Sequence, residues 1–139
     1  MAEIQTLPTR TADDISAEIH HLMNLYPPLV NDRHRVTVDV TDDGSVTVKG
    51  YVKAAPTADY LLNGITTVES VTAINADELY VDEIIRREVG KVVPTGVQVR
   101  VEYGAAILTG DAPTTVSAEA LVKTVALVPG VHRVVTSFS

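Results

Sequence analysis

The side chains able to do chemistry in this chain are few, and their spacing limits what they can do. His20 and His21 are adjacent in a helical stretch, so they point in different directions. His34 lies in Asp32-Arg33-His34-Arg35, and His132 lies far downstream. A zinc site needs two or three such ligands converging with a carboxylate. Glu18, two residues from His20, does not share its helix face, so no metal site is expected. Asp42-Asp43-Gly44 lacks the alternating oxygens of a calcium loop and reads as a hairpin turn. Ser16, Ser45, Ser70, Ser117, Ser137 and Ser139 have no nucleophile elbow around them. Neither G-x-G-x-x-G nor G-x-x-x-x-G-K occurs, so Gly44, Gly50, Gly104 and Gly110 form no phosphate cradle. These residues predict a non-catalytic protein with no cofactor.

Surface chemistry is the alternative. Arg86, Arg87 and Lys91 fall on one helical stretch, and Arg33, Arg35, Lys49 and Lys53 stand near the first hairpin. Either group suits lipid headgroups, or forms a solvated face; Glu83, four residues before Arg87, predicts an ion pair. Leu25-Tyr26-Pro27-Pro28-Leu29-Val30 reads as an apolar loop that either caps the core or meets a partner or bilayer. Tyr51, Tyr60, Tyr80 and Tyr103 suit an interface in the same way. The candidate interaction surface is therefore Leu25, Tyr26, Leu29, Arg86, Arg87 and Lys91.

Composition narrows the partners. The 139 residues carry a net charge of −7. Residues 1–69 hold five basic against ten acidic side chains, and the remainder six against eight. Neither half has the basic field that nucleic acid demands, and strong long-range attraction to anionic lipid is disfavoured for the same reason. The absence of Cys excludes disulfides, thiolate zinc and Cys nucleophiles. The N-terminus MAEIQTLPTRTADDIS has neither a basic region nor an apolar stretch of the secretory kind. No apolar run nears the roughly 20 residues that span a bilayer. The expectation is a cytoplasmic chain, not transmembrane, and at most peripheral to a membrane.

The elements that position these residues are written twice. Residues 36–52, VTVDVTDDGSVTVKGYV, and 97–112, VQVRVEYGAAILTGDA, are both alternating hairpins with Gly at matching places. At a shift of 60, Gly44 falls on Gly104 and Gly50 on Gly110. Leu61, Leu62, Ile65, Val68, Val71 and Ile74 fall on Leu121, Val122, Val125, Val128, Val131 and Val134. Upstream, Ile15, Ile19 and Leu22 match Ile85, Val89 and Val92 at a shift of 70.

Each copy reads as α-β-β-α-β. In the first, a helix from about Thr11 or Asp13 stops at Pro27-Pro28, strands follow at 36–41 and 45–52, Pro56 opens a helix, and a strand lies near 71–77. The second has a helix at about 81–92, strands at 97–102 and 105–110, a helix near 115–127 ended by Pro129-Gly130, and a strand near 131–138. The returning strand pairs parallel by a right-handed crossover. The expected fold class is α+β: two repeats, each a three-stranded mixed sheet with two helices on one face. The expected organisation is a tail at 1–11 and repeats at 12–79 and 80–139. Gly44 and Gly104 supply turns, Gly50 and Gly110 end a strand or allow close approach, and Gly130 ends a helix.

This pattern resembles the BON (bacterial OsmY and nodulation) domain family. The resemblance rests on the hairpins V-x-V-(turn)-G-x-V-x-V-x-G and V-x-x-G-A-A-I-L-x-G, each followed by a helix. It rests also on the ending Gly130-Val131-His132-Arg133-Val134, where the first copy has Ser70-Val71-Thr72-Ala73-Ile74, with Ser in place of Gly. The resemblance implies a tandem, non-catalytic binding or adaptor protein that meets a phospholipid surface or a protein partner, in stress or envelope maintenance. Two alternatives stand beside it: a self-assembling structural subunit, and a sensor binding a monovalent cation such as potassium through backbone carbonyls.

Overall fold

The computed structural model describes residues 10–139, so most of the expected tail at 1–11 lies outside the described residues. The chain runs α1 (Ala12–Met23), α2 (Pro27–Asp32), β1 (Val36–Val40), β2 (Ser45–Val52), α3 (Ala55–Thr66) and β3 (Ala73–Val81). It continues α4 (Asp82–Gly90), β4 (Val97–Glu102), β5 (Ala105–Gly110), α5 (Ala118–Ala126) and β6 (Arg133–Phe138). Each sheet has its hairpin strands antiparallel and its third strand parallel to the central one, in the orders β1-β2-β3 and β4-β5-β6. This is the two-repeat α+β architecture the periodicity demanded.

Local chemistry sets the element ends. Thr11 caps α1, its hydroxyl accepting from the Asp14 N–H while the Asp14 carboxylate accepts from the Thr11 N–H. Ser117 caps α5, accepting from the Ala120 N–H at 3.0 Å, so this helix starts later than position 115. Each repeat has its own core. Ile15, Ile19, Val46, Val48, Leu61 and Ile65 fill the first, and Ile85, Val89, Ala106, Leu108, Leu121 and Val125 fill the second. Burying each such side chain contributes about 1.5–3 kcal/mol.

Three features depart from expectation. Residues 25–30 are not a loop: α1 ends at Met23, and Pro27 opens α2 at its first position, where a missing N–H costs nothing. Leu29 on α2 is fully buried in the first core, so it leaves the candidate interaction surface. The last strand of the first repeat also runs on to Val81, beyond residue 77. A register shift between Thr47 and Lys49 accommodates this. Ile74 and Leu79 are five apart, so strict alternation would send one outward. The bulge lets both pack against the same core, and Val81 follows beside Val52.

The duplication extends to single hydrogen bonds. The Val71 N–H donates to the Val68 carbonyl and the Val131 N–H to that of Val128. The Thr72 and His132 N–H groups likewise donate to the Gly44 and Gly104 carbonyls, at 2.9 and 3.0 Å. One position of this frame is mismatched. Ser70 has φ +76°, and its counterpart Gly130 has +93°. A side chain in the left-handed region costs about 1–2 kcal/mol. Allowing for the entropy glycine adds to the unfolded chain, Ser70→Gly is expected to stabilise the protein by about 0.5–1 kcal/mol, a few degrees in a thermal melt. A lower Tm would contradict this.

Candidate functional site

β3 passes into α4 without a loop, Val81 serving as both the last strand residue and the helix N-cap. This junction places Asp82, at the first turn of α4, under the β4–β5 hairpin turn. Asp82 is 5% exposed. Its Oδ2 accepts the Tyr103 N–H at 2.6 Å and its Oδ1 the Gly104 N–H at 3.0 Å. Asp32, at the end of α2, is 2% exposed and reaches the same turn from the other side. Its Oδ2 accepts the Lys53 N–H at 3.0 Å, and its Oδ1 accepts the Tyr103 hydroxyl at 2.8 Å. Two buried carboxylates thus hold one turn: Asp82 ties it to its own repeat, and Asp32 ties it to the first.

Aromatic and basic groups complete this seam. The Tyr51 hydroxyl donates to the Gly130 carbonyl at 2.8 Å, and its ring lies against Gly104, Tyr80 and His132. His132 Nε2 stands 2.9 Å from the Tyr103 carbonyl, which places the ring proton on Nε2. Arg35 and Lys53 lie 5.1 and 5.3 Å from the centre of the Tyr103 ring, and His34 meets its edge. The two cations offset the two carboxylates.

The electrostatics follow. Burial pushes the Asp82 carboxyl above its usual range, opposed by the two backbone N–H donors. Burial, then the bond to Asp32 and its charge, push the Tyr103 phenol up to about 12. An alkaline absorbance titration should therefore show one phenol ionising near pH 12, well above the value of about 10 for a free tyrosine. The folded value exceeds the unfolded one, so the native state keeps this proton longer. Stability should fall as pH rises from about 10 toward 12. In Asp32→Asn the high phenol should return toward the ordinary range; an unchanged titration would count against this cause.

Backbone and phenol donors thus meet both oxygens of each carboxylate, an arrangement that fixes the turn in place. Among the described residues, no group of three His, Asp or Glu stands ready for a metal, and no helix is long and apolar enough to cross a membrane.

The remaining candidates disperse. Leu25 is 65% exposed after α1, whereas Tyr26 stacks on Tyr60 at 4.4 Å, and the Tyr60 hydroxyl donates to the Leu22 carbonyl. Of the first basic group, Arg35 and Lys53 join the seam, Lys49 pairs with Glu78, and Arg33 bonds to Asn24. On α4, Lys91 pairs with Glu88 at 2.8 Å. The expected Glu83–Arg87 pair is not formed, and neither Arg86 nor Arg87 has an acidic partner among the described residues. On the same helix, Ile84 is 42% exposed. It borders a mainly apolar groove of about 360 Å³ lined also by Leu79, Tyr80 and Pro129, with Glu88 at its side. A second groove of about 260 Å³ is lined by Lys53, Asp82, Glu83, Arg86 and Val101.

Of the seam residues, the tyrosines and the Arg35–Lys53 group carry an interface signal in the sequence. Asp32 and Asp82 carry none beyond being acids at the ends of apolar stretches, Leu29-Val30 and Tyr80-Val81.

Residues 81–139 match the model of the BON domain. No curated protein matches the chain significantly. Two solved structures of CdsD, described as a structural protein of the type III secretion system of Chlamydia trachomatis, share the fold. The first, of its C-terminal domain, has a TM-score of 0.69 at 15% identity, covering 88% of this chain and 63% of that one. The second has a TM-score of 0.69 at 14% identity, covering 91% and 61%. This chain thus spans less than two thirds of either. At these identities the likeness shows a shared fold.

Proposed function

From the match of residues 81–139 to the BON domain model, we propose that this chain is a non-catalytic docking protein that attaches to an anionic phospholipid surface through α4. The first repeat, taken as 12–79, positions the second, taken as 80–139. The observation that carries this reading is the face of α4. Ile84 is exposed on the edge of the apolar groove and lies one helical turn from Arg87. Arg87 and Arg86, the latter on another side of the helix, are without acidic partners among the described residues. An apolar residue with a free guanidinium group one turn away suits the boundary between headgroups and acyl chains. Each arginine there is worth about 1 kcal/mol against an anionic surface. The chain's net charge of −7 opposes approach at long range, so attachment depends on this local face and on salt.

Co-sedimentation with vesicles tests this. Vesicles containing phosphatidylglycerol should pellet the protein, and those of phosphatidylcholine alone should not. High salt should weaken pelleting, and joint Arg86→Gln and Arg87→Gln should lower binding by roughly thirtyfold. No pelleting with either vesicle would rule out lipid and leave a protein partner for the same face.

A further inference from the structure

Among the described residues the two sheets leave four edges, and three are guarded. β1 is five residues long and carries the exposed Asp39. β3 has a register shift with Asp77 and Glu78 beside it. β4 carries Arg100 and Glu102, 3.6 Å apart. Short length, charge and bulges are the usual defences of an open edge. β6 has none of them along most of its length. It pairs with β5 in unbroken register from Arg133 to Phe138. From Val134 to Phe138 it reads Val-Val-Thr-Ser-Phe, without charge or proline. Among the described residues, no strand pairs with its outer side. An edge of this kind presents unpaired N–H and C=O groups to another strand.

We propose that β6 is a self-association edge, pairing antiparallel with β6 of a second copy about a two-fold axis through Val135. Side-chain fit selects a second copy as the occupant. Val134 and Phe138 face the second core, while Arg133, Val135 and Ser137 are exposed on the other face. In this register each side chain meets one on its own face: Val135 meets Val135, Arg133 meets Ser137, and Val134 meets Thr136. Val135, 37% exposed, gains an apolar partner. The two Arg133 side chains stand at opposite ends of the ladder, so no like charges face each other. The contact is isologous and closes at two copies, giving one six-stranded sheet with its helices on one face. It uses neither α4 nor the seam, so it stands or falls apart from lipid binding.

Sedimentation equilibrium over a concentration series tests it on the full chain. Wild type should approach twice 14.9 kDa. Val135→Lys should weaken the dimer at least about tenfold, and mixing it with Val135→Glu should restore a heterodimer. Ser137→Arg, which sets an arginine opposite Arg133, should also weaken it and reads the same pairing if Val135→Lys fails to fold. A wild type that stays monomeric at millimolar concentration overturns the proposal. So does a folded Val135→Lys or Ser137→Arg that dimerises like wild type, or a Lys/Glu mixture of folded variants that stays monomeric.

Discussion

Asp82→Ala is expected to cost about 3–5 kcal/mol and to free the second hairpin turn from the seam. The carboxylate is 5% exposed and takes the N–H groups of both Tyr103 and Gly104. Alanine would leave two backbone donors without partners, at about 1–3 kcal/mol each, and a small cavity as well. Against a total stability of about 5–15 kcal/mol, that is a large fraction. Asp82→Asn keeps one acceptor oxygen but turns an amide toward the other N–H, so an intermediate loss is expected. Urea unfolding reads both, through the midpoint at constant slope. A loss under about 1 kcal/mol for alanine would mean that these bonds add little beyond what water supplies.

The same residue sets a pH dependence. Burial raises the folded pKa of Asp82 above its unfolded value of 3.8. The native state therefore binds this proton more tightly, and the stability it adds is present in acid and lost as pH rises through the raised value. Asp82→Asn should flatten that part of the midpoint-against-pH curve.

Gly50→Ala is expected to be of similar severity, about 3 kcal/mol or more, through the backbone. Gly50 lies inside β2, paired with Val36 on one side and Leu79 on the other. Its φ is +122°, and a Cβ there would overlap the Arg35 carbonyl oxygen. No side-chain rotation relieves a clash between two backbones, so strand β1 must move. Arg35 also lies over Tyr103, so the damage should reach the seam. Gly90→Ala is the control: nothing lies within 4 Å of a Cβ at that position, at the end of α4. It should leave stability unchanged or raise it by less than about 1 kcal/mol. Equal effects of the two substitutions would refute the steric argument.

The seam and the edge of β6 belong to different ends of the same logic. Each repeat alone is near the lower size limit for a stable core. The first repeat grips the second through Asp32 on Tyr103 and Tyr51 on Gly130, while Asp82 braces the same turn from within the second repeat. The direct junction of β3 and α4 removes the linker that would otherwise let the two move apart.

Alternation and turn residues alone determined the hairpins of this protein, down to Val97–Glu102 and Ala105–Gly110. The shift of 60 determined that the α-β-β-α-β unit occurs twice, and Gly44 and Gly104 marked its turns. Such features are legible because a strand's period and a turn's φ depend on neighbours a few residues away. Tertiary structure alone decided that Pro27 begins a helix, that Leu29 is buried and that Glu83 leaves Arg87 free. It alone decided that β3 bulges to reach Val81. It alone brought Asp32 to the hydroxyl of Tyr103, 71 residues away, and Asp82 to two backbone N–H groups. A backbone donor has no side chain to mark it, and no local period connects residues that far apart. What those carboxylates do became visible only once the two repeats were packed together.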